Sequence, residues 1–276
     1  MSILIADSGA TKTEWYYQSG SVTQTDQTEG LNPYYHSADS IGSVIEKELL
    51  PTVDVVDEIY FYGAGCDSEA KKKMIEQALS QRFSTAEVQV HHDLLAAARA
   101  CLGNEAGIAC ILGTGSNSCL YDGSAIVEHI PSLAFILGDE GSAAYFGKQL
   151  INRYFRDELP DDLQNALREE HNMSLNYITT NLYDGSQKSR FIASYGAFLG
   201  NHAEHPYIRK MLYKGFENFV RRIVAKYSNA ADYEVRFVGS VAYAHQQVIK
   251  EILQEHGLTA GLFIRHPMER LVEYHT

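Results

Sequence analysis

The sequence predicts an α/β protein built from two similar domains. Short apolar runs rich in β-branched and aromatic residues alternate with helical patterns, and glycine marks several of the joints between them. A strand, a glycine turn with hydroxyl residues and a second strand occur twice, 106 residues apart when Gly9 is aligned with Gly115. The 276 residues, 45% of them hydrophobic, suffice for two cores. We therefore expect two α/β domains that face each other across a cleft.

Charge and cysteine content narrow the classes of function. Lys and Arg number 23 and Asp and Glu 35, so the net charge of −12 would oppose binding to nucleic acid or to an anionic membrane. No apolar run is long enough to cross a bilayer and no signal peptide is recognisable, which predicts a cytoplasmic protein. The four cysteines lack the paired spacing of a zinc site or a disulfide framework, so we expect reduced, buried thiols.

The first half of the chain is predicted to begin with a hairpin. Residues 3–6 form a buried strand, residues 7–13 a loop and residues 14–17 a returning strand, which a turn at Ser19 and Gly20 closes. Two strand-to-helix units follow, with strands at 58–62 and 87–91 and helices near 68–81 and 94–102. Residues 1–106 are the predicted first domain.

The second half repeats this hairpin and adds more helix. Residues 108–112 and 119–121 are predicted strands on either side of the loop 113–117, and Asp122 and Gly123 form the next turn. The later elements are a helix from about 138 to 155, helices and loops over about 157–204, an amphipathic helix from Pro206, a strand at 235–238, a helix to about 256 and a short strand at 262–265. Residues 107–276 are the predicted second domain, with a helical insertion at about 157–204.

The glycine and hydroxyl loops that follow three strands suggest anion binding. A backbone without side chains lets several N–H groups converge on one anion, and Ser or Thr hydroxyls add further donors. Most single loops of this composition are only hairpin turns, so the repetition carries the argument. Neither a Walker A loop nor a Rossmann glycine fingerprint occurs in the chain.

The segments ADSGATKTE, GTGSN, GDEGS and GSVA, in this order, resemble the phosphate-1, phosphate-2 and adenosine elements of the actin, hexokinase and heat-shock ATPase superfamily. More narrowly, the chain is similar to the N-acetylglucosamine kinase and BadF/BadG/BcrA/BcrD ATPase family. The resemblance extends from Ile3 to the helix after Ala242. It implies two duplicated actin-like, ribonuclease H-like domains, with ATP and Mg²⁺ bound in the cleft between them.

The resemblance also assigns the nucleotide-binding residues. Asp7 would orient the hydration shell of Mg²⁺, and therefore touch the metal through water. The β- and γ-phosphates would be wrapped by Ser8, Gly9, Ala10, Thr11, Lys12 and Thr13, and from the other domain by Gly113, Thr114, Gly115 and Ser116. The adenine and ribose would lie against the backbone of Gly239, Ser240 and Val241, where a larger residue than glycine would collide.

Phosphoryl transfer to an alcohol needs a carboxylate that takes the proton of the acceptor hydroxyl. Asp93 is the candidate, because the resembling kinases have their catalytic base at this strand-to-helix joint. The alternative is that Asp93 is the N-cap of the helix that begins at Leu94.

The acceptor would be a sugar or amino sugar, held by Asn32, Gly63, Asp93, Thr114, Asn117 and Asp139. Thr114 and Asn117 would face its acyl substituent. Two of these residues have structural alternatives, since Asp139 could cap the following helix and Asn32 precedes Pro33 in a typical turn.

Three functions follow from the resemblance. The first is an N-acetylglucosamine kinase-like enzyme, with a homodimer suggested by analogy and no nucleic-acid or membrane partner. The second is a BadF/BcrA-type ATPase that activates a partner reductase through a bridging iron–sulfur cluster, for which the cysteines show no suitable arrangement. The third is a non-catalytic sugar or nucleotide sensor, which the presence of both Asp7 and Asp93 disfavours.

Overall fold

The structure is a computed structural model, and it describes residues 1–9, 11–49, 53, 55–185 and 187–276. The chain divides into two units. Unit 1 comprises Met1–Asn104 and His266–Thr276, and unit 2 comprises Glu105–Arg265. The break after Asn104 lies close to the predicted boundary at 106/107. Residues 266–276, which the sequence analysis placed in the second domain, belong instead to unit 1.

Unit 1 is built on a five-stranded mixed sheet. Its strands are β1 (Ser2–Ser8), β2 (Lys12–Ser19), β3 (Val22–Glu29), β4 (Glu58–Gly63) and β5 (Glu87–His92). They lie in the order β3-β2-β1-β4-β5; β2 is antiparallel to both β1 and β3, whereas β1, β4 and β5 run parallel. The helices between them are α1 (Ala38–Val44), which continues into a π-helical turn (Ile45–Leu49), α2 (Glu69–Arg82) and α3 (Asp93–Leu102).

The central strand β1 is buried along nearly its whole length. Leu4, Ile5 and Ala6 have no exposed surface, as expected for an apolar strand covered on both faces. The parallel register pairs Ser8 with Gly63, and Gly63 with His92. Because parallel strands point the same way, the residues at the carboxyl ends of β1, β4 and β5 meet at one edge of the sheet.

Unit 2 repeats this sheet. Its strands are β6 (Gly107–Leu112), β7 (Ser116–Tyr121), β8 (Ile126–Glu128), β9 (Glu234–Val238) and β10 (Thr259–Ile264). Their order is β10-β9-β6-β7-β8, with antiparallel pairs on the β7 side and parallel pairs on the β9 side. Each strand thus takes the place that the strand five positions earlier has in unit 1, which confirms the predicted duplication.

The remaining helices of unit 2 surround and extend this sheet. They are α4 (Ala134–Leu137), α5 (Ala143–Tyr154), α6 (Asp161–Glu170), α7 (Leu175–Tyr183), α8 (Lys188–Asn201), α9 (Pro206–Arg222), α10 (Ser240–Ala244) and α11 (Gln246–Glu255). Helices α6 to α8 occupy the predicted insertion. Helix α8 crosses α5 closely, since a Cβ on Gly147 would collide with the carbonyl of Ile192 and one on Gly196 would lie 2.5 Å from the carbonyl of Ala143. The predicted apolar face of α9 is buried.

The last helix, α12 (Met268–His275), packs against α3, β1 and β2 of unit 1. His275 stacks on Tyr60 with 3.8 Å between ring centroids, and its Nε2 lies 2.8 Å from the hydroxyl of Tyr62. Arg99 donates to the same hydroxyl at 2.6 Å. These contacts are the physical reason why the end of the chain belongs to unit 1. Within the described residues, no helix has the length and apolar character needed to span a membrane.

Candidate functional site

Carboxylates gather at the carboxyl-end edge of the unit 1 sheet. Asp7 is the last but one residue of β1, Glu14 lies directly across from it on β2, and Asp93 follows β5. The pKa of Asp7 is raised from 3.8 to about 7, first by burial and then by the negative charges of Asp93 and Glu14, while Lys12 opposes the rise. This edge therefore favours a proton or a cation over an uncompensated carboxylate.

Asp93 does not act as the helix cap. The cap of α3 is His92, whose Nδ1 accepts the N–H of Leu94 at 3.1 Å. Asp93 is the first helical residue, and its side chain is 30% exposed. Its Oδ1 is buried and, among the described residues, has no hydrogen-bond partner when His92 Nδ1 serves as the cap acceptor. The capping alternative is therefore not what the structure shows, and Asp93 keeps a carboxylate oxygen available for other chemistry.

The first glycine loop is tied down by its hydroxyl residues. Ser8 Oγ and Thr13 Oγ1 lie 2.8 Å apart and are buried, and Ser8 Oγ accepts the N–H of Leu31 at 3.0 Å. Thr13 also donates to the carbonyl of Glu29 at 3.0 Å. These two hydroxyls form hydrogen bonds within the fold.

Gly9, Thr11 and Lys12 remain as the exposed part of that loop. Gly9 donates its N–H to the carbonyl of Lys12 at 3.0 Å, and the Lys12 ammonium forms an ion pair with Glu14. Ala10, also predicted to contact phosphate, lies outside the described residues. The exposed backbone and the ammonium group are the parts of this loop that can meet an anion.

Asn32 lies beside the loop that follows β4. Its Oδ1 accepts the N–H of Tyr34 at 2.9 Å, which is the turn that its position before Pro33 suggested. A Cβ on Gly65, whose φ is +83°, would lie 2.5 Å from that oxygen. Gly63 is equally confined, because a Cβ there would lie 2.6 Å from the Phe61 ring. Both predicted sugar-binding residues are therefore held in position by local packing.

In unit 2, the GTGS and GDEGS segments form one hydrogen-bonded substructure. The carbonyls of Gly113 and Thr114 accept the N–H groups of residues 143 and 144, at 2.9 and 3.0 Å. Ser116 donates its N–H to Asp139 Oδ1 at 3.3 Å, and a Cβ on Gly115 would lie 2.9 Å from Oδ2 of the same carboxylate. Only glycine at 115 lets the carboxylate approach the loop this closely.

Asp139 lies in a strained turn and is not a helix cap. Its φ is +57°, and the N-cap of α5 is Ser142, which accepts the N–H of Tyr145 at 3.1 Å. Burial raises the pKa of Asp139 to about 6, against the lowering effect of the Ser116 N–H. The neighbouring Glu140 is buried and forms an ion pair with Arg222 at the end of α9. The N–H of Ser116 thus orients the carboxylate of Asp139.

The third glycine loop packs against the second. Gly239 has a φ of +121°, and a Cβ there would collide with the Leu112 carbonyl and lie 3.4 Å from the N of Gly113. Ser240 and Val241 begin α10 directly after it. Two loops predicted to bind the nucleotide are therefore adjacent in unit 2.

Other predicted side chains in this region differ in their surroundings. Ser116 Oγ is buried and has no hydrogen-bond partner among the described residues, whereas Thr114 is exposed. Asn117 Oδ1 accepts the N–H of Ser118 at 3.0 Å and lies 2.9 Å from His129 Nε2. The amide oxygen of Asn117 is therefore engaged, and its NH₂ group is the part that can meet a ligand.

Comparison with known proteins decides the family. No protein-family model and no curated protein matches the chain. A solved structure from Porphyromonas gingivalis, provisionally assigned as an N-acetylglucosamine kinase, is 36% identical to this chain, with a TM-score of 0.93 over 99% of this chain and 98% of the other. The chain belongs to the N-acetylglucosamine kinase-like family.

More distant structures share the fold of this family. A Chromobacterium violaceum protein, also provisionally assigned as an N-acetylglucosamine kinase, has 15% identity and a TM-score of 0.73 over 100% of this chain and 99% of its own. A ROK family glucokinase from Streptomyces griseus, solved with glucose and AMPPNP, has 16% identity and a TM-score of 0.55 over 99% and 98%. The kinase-like fold predicted from the four motifs is thus confirmed.

Three residues that surround this family's motifs were missed by the sequence analysis. They are Glu14 opposite Asp7, His92 beside Asp93, and Glu140 in its pair with Arg222. The register of the first hairpin, once its turn is placed, was the signal for Glu14. The sequence gives no sign of the roles of His92 and Glu140. The contacts of His92 depend on the backbone geometry at the start of α3, and Glu140 binds Arg222, which is 82 positions away.

Proposed function

We propose that the protein is an ATP-dependent kinase that transfers the γ-phosphoryl group to a hydroxyl of a sugar or amino sugar. N-acetylglucosamine or a close relative is the first candidate acceptor, because the 36% identical relative carries that provisional assignment. The observation that carries the proposal is the pairing of Asp7 and Asp93 at one sheet edge, with Asp93 free of the capping role. Phosphoryl transfer needs a cation site and a proton acceptor side by side.

The nucleotide would be bound largely by backbone groups. In unit 1 the exposed residues Gly9, Thr11 and Lys12 would meet the phosphates, together with Ala10. In unit 2 the phosphates would meet residues 113–116, where the buried Ser116 hydroxyl still has hydrogen-bonding capacity. The adenosine would lie on Gly239, Ser240 and Val241, which Gly239 brings against the second loop.

The residues at Asp7 fit a magnesium ion held through water. Asp7 is partly buried near two other carboxylates, and the raised pKa expresses the cost of leaving its charge uncompensated. Mg²⁺ usually keeps several waters and binds through one or two carboxylates plus substrate phosphates. When bound, the ion would neutralise charge on the phosphates, and Asp7 would orient its water.

Asp93 would accept the proton of the acceptor hydroxyl as the oxygen–phosphorus bond forms. Asp139 would hold sugar hydroxyls, since a carboxylate with a pKa of about 6 is mostly ionised at neutral pH and accepts hydrogen bonds. Asn32, Gly63, Thr114 and Asn117 would line the same acceptor. The cytoplasmic location and the homodimer stay predictions.

The cysteines argue against the activating-ATPase alternative. Cys66, Cys101, Cys110 and Cys119 are all buried. A cluster shared between two subunits needs thiols presented at a surface. Burial also raises the pKa of the Cys66 and Cys119 thiols to about 12, which disfavours the thiolate that an iron–sulfur cluster requires.

The test is release of ADP from Mg-ATP across a panel of hexoses and amino sugars, with Asp93→Asn as the paired variant. We expect release that depends on one acceptor and is lost in the variant. Release without any sugar would favour the ATPase, and nucleotide binding without release would favour the sensor.

A further inference from the structure

The Nδ1 atom of His92 lies close to a hydrogen-bond donor, the N–H of Leu94, and to an acceptor, the carboxylate of Asp93. Its Nδ1 is 3.1 Å from the N of Leu94, which donates to it as the cap of α3, and 2.8 Å from Oδ1 of Asp93. The two side chains are 27% and 30% exposed, so both are partly withdrawn from water.

The contact between Nδ1 and Oδ1 requires a proton. When the imidazole is neutral with its hydrogen on Nε2, Nδ1 accepts from Leu94 and two lone-pair atoms face each other at 2.8 Å. Oδ1 then has no donor among the described residues. A hydrogen on Nδ1, carried by the imidazolium or by the neutral Nδ1–H tautomer, or a proton on Oδ1 turns this repulsive contact into a hydrogen bond. A hydrogen on Nδ1 also displaces the N–H of Leu94 from that atom.

We propose that His92 and Asp93 share one proton, and that His92 thereby sets the pH at which Asp93 can act as the base. The proposal rests on the kinase function inferred above. In the transfer step the acceptor O–H bond breaks as the O–P bond forms, and the proton moves to the Asp93 carboxylate. It is then shared with His92 and leaves to water from the imidazolium, which returns His92 to its neutral form. His92 is a positioning residue, because it acts through Asp93.

Among the charged groups that act on His92, Asp93 has the largest effect on its pKa. Burial alone would lower the pKa of His92, but the hydrogen bond and charge of Asp93, with a further contribution from Asp67, raise it above its usual value, and Lys72 on α2 opposes them. The neighbouring Cys66 is neutral, with a pKa of about 12, and Asp7 interacts electrostatically with Asp93.

A matched pair of variants separates proton sharing from helix capping. In His92→Asn the amide oxygen can still accept the N–H of Leu94, but the side chain carries no titratable proton. His205→Asn is the control, because His205 caps α9 in the same way, with Nδ1 3.1 Å from the N of Tyr207 and Nε2 3.2 Å from Asp162.

The first readout is kcat as a function of pH. We expect His92→Asn to move the acid limb of the profile to lower pH by about one unit, with less than about a twofold change in the KM for sugar. The profile of His205→Asn should superimpose on that of the native protein. Superposition of the His92→Asn profile on the native one would overturn the proposal.

The second readout needs no activity. The imidazole of His92 is titrated by NMR in the native protein and in Asp93→Asn, with His91 as the internal reference. We expect the midpoint of His92 to fall by about one pH unit in the variant. An unchanged midpoint refutes the shared proton whatever the enzyme does. A shifted midpoint in a protein without sugar-dependent ADP release supports the shared proton and refutes the kinase.

Discussion

Asp7→Asn should make the protein more stable at alkaline pH while it removes activity. The folded-state pKa of Asp7, about 7, lies above its unfolded value of 3.8. A group with a raised pKa contributes stability below the unfolded pKa, and that contribution is lost as the pH rises through the folded pKa. At pH 8 the folded protein therefore carries the full cost of ionising Asp7, and a neutral amide avoids it.

The size of this effect follows from the shift in pKa. About three units correspond to about 4 kcal/mol, which is an upper limit for the gain at pH 8. At pH 5 only the interval between the unfolded pKa of 3.8 and pH 5 contributes, which leaves a stability gain of about 1.6 kcal/mol. We expect a gain of about 2–4 kcal/mol at pH 8 that falls below about 2 kcal/mol at pH 5.

Urea unfolding followed by Trp15 fluorescence measures this gain. Trp15 is the one tryptophan of the chain and is buried in the core of unit 1, so it reports unfolding of the unit that contains Asp7. With a slope of about 2 kcal/mol per molar urea, the midpoint should rise by about 1–2 M at pH 8.

Asp57→Asn is the control for the direction of the stability change, because the pKa of Asp57 is shifted in the opposite direction to that of Asp7. Hydrogen bonds from Ser2 lower the pKa of Asp57, so its contribution to stability is present above the unfolded pKa and is lost as the pH falls. This variant should not gain stability at pH 8. Equal midpoints for Asp7→Asn and the native protein at pH 8 would show that Asp7 is not under electrostatic stress, and would remove the main support for a cation site there.

Three further predictions concern unit 2. Asp139→Asn should raise the KM for sugar at least about tenfold. In the native protein KM should fall about tenfold between pH 5 and pH 7, because the carboxylate of Asp139, with a pKa of about 6, ionises over that range. A KM independent of pH would contradict this role. Ser142→Ala should cost about 1 kcal/mol of stability by thermal unfolding, because Ser142 rather than Asp139 caps α5. Gly239→Ala should weaken binding of a fluorescent ATP analogue and destabilise unit 2 by more than about 3 kcal/mol. Gly257 is the control, because it has a φ of +70° but no atom within 4 Å of an added Cβ, so Gly257→Ala should cost only the backbone strain of about 1–3 kcal/mol. Equal losses of stability in the two variants would exclude the collision with Leu112.

The central strands and the edge strands β5 and β10 were predictable from the sequence, whereas the edge strands β3 and β8 were not. β1 and β6 are apolar runs buried on both faces, so composition alone marks them. β3 has the sequence VTQTDQTE and is mostly exposed at the edge of the sheet, and β8 has only three residues. An edge strand needs few apolar residues, since one side of it pairs with nothing else in the sheet.

The candidate site shows a similar division. Motifs with glycine marked loops in which the backbone approaches a neighbour closely, as at Gly239, because only glycine fits there. The roles of individual polar side chains did not follow from sequence. Ser8 and Thr13 bond to each other, and the caps of α3 and α5 are His92 and Ser142 rather than the aspartates. Several side chains of similar chemistry compete for each backbone group, and the three-dimensional arrangement decides among them.

The return of α12 to unit 1 has a consequence for the order of folding. Unit 2 is one continuous stretch, but unit 1 is assembled from both ends of the chain. During synthesis on the ribosome, unit 2 has its complete sequence before the residues that contact Tyr60 and Tyr62 have been made. Unit 1, with Asp7 and Asp93, is therefore completed only after α12 has been made.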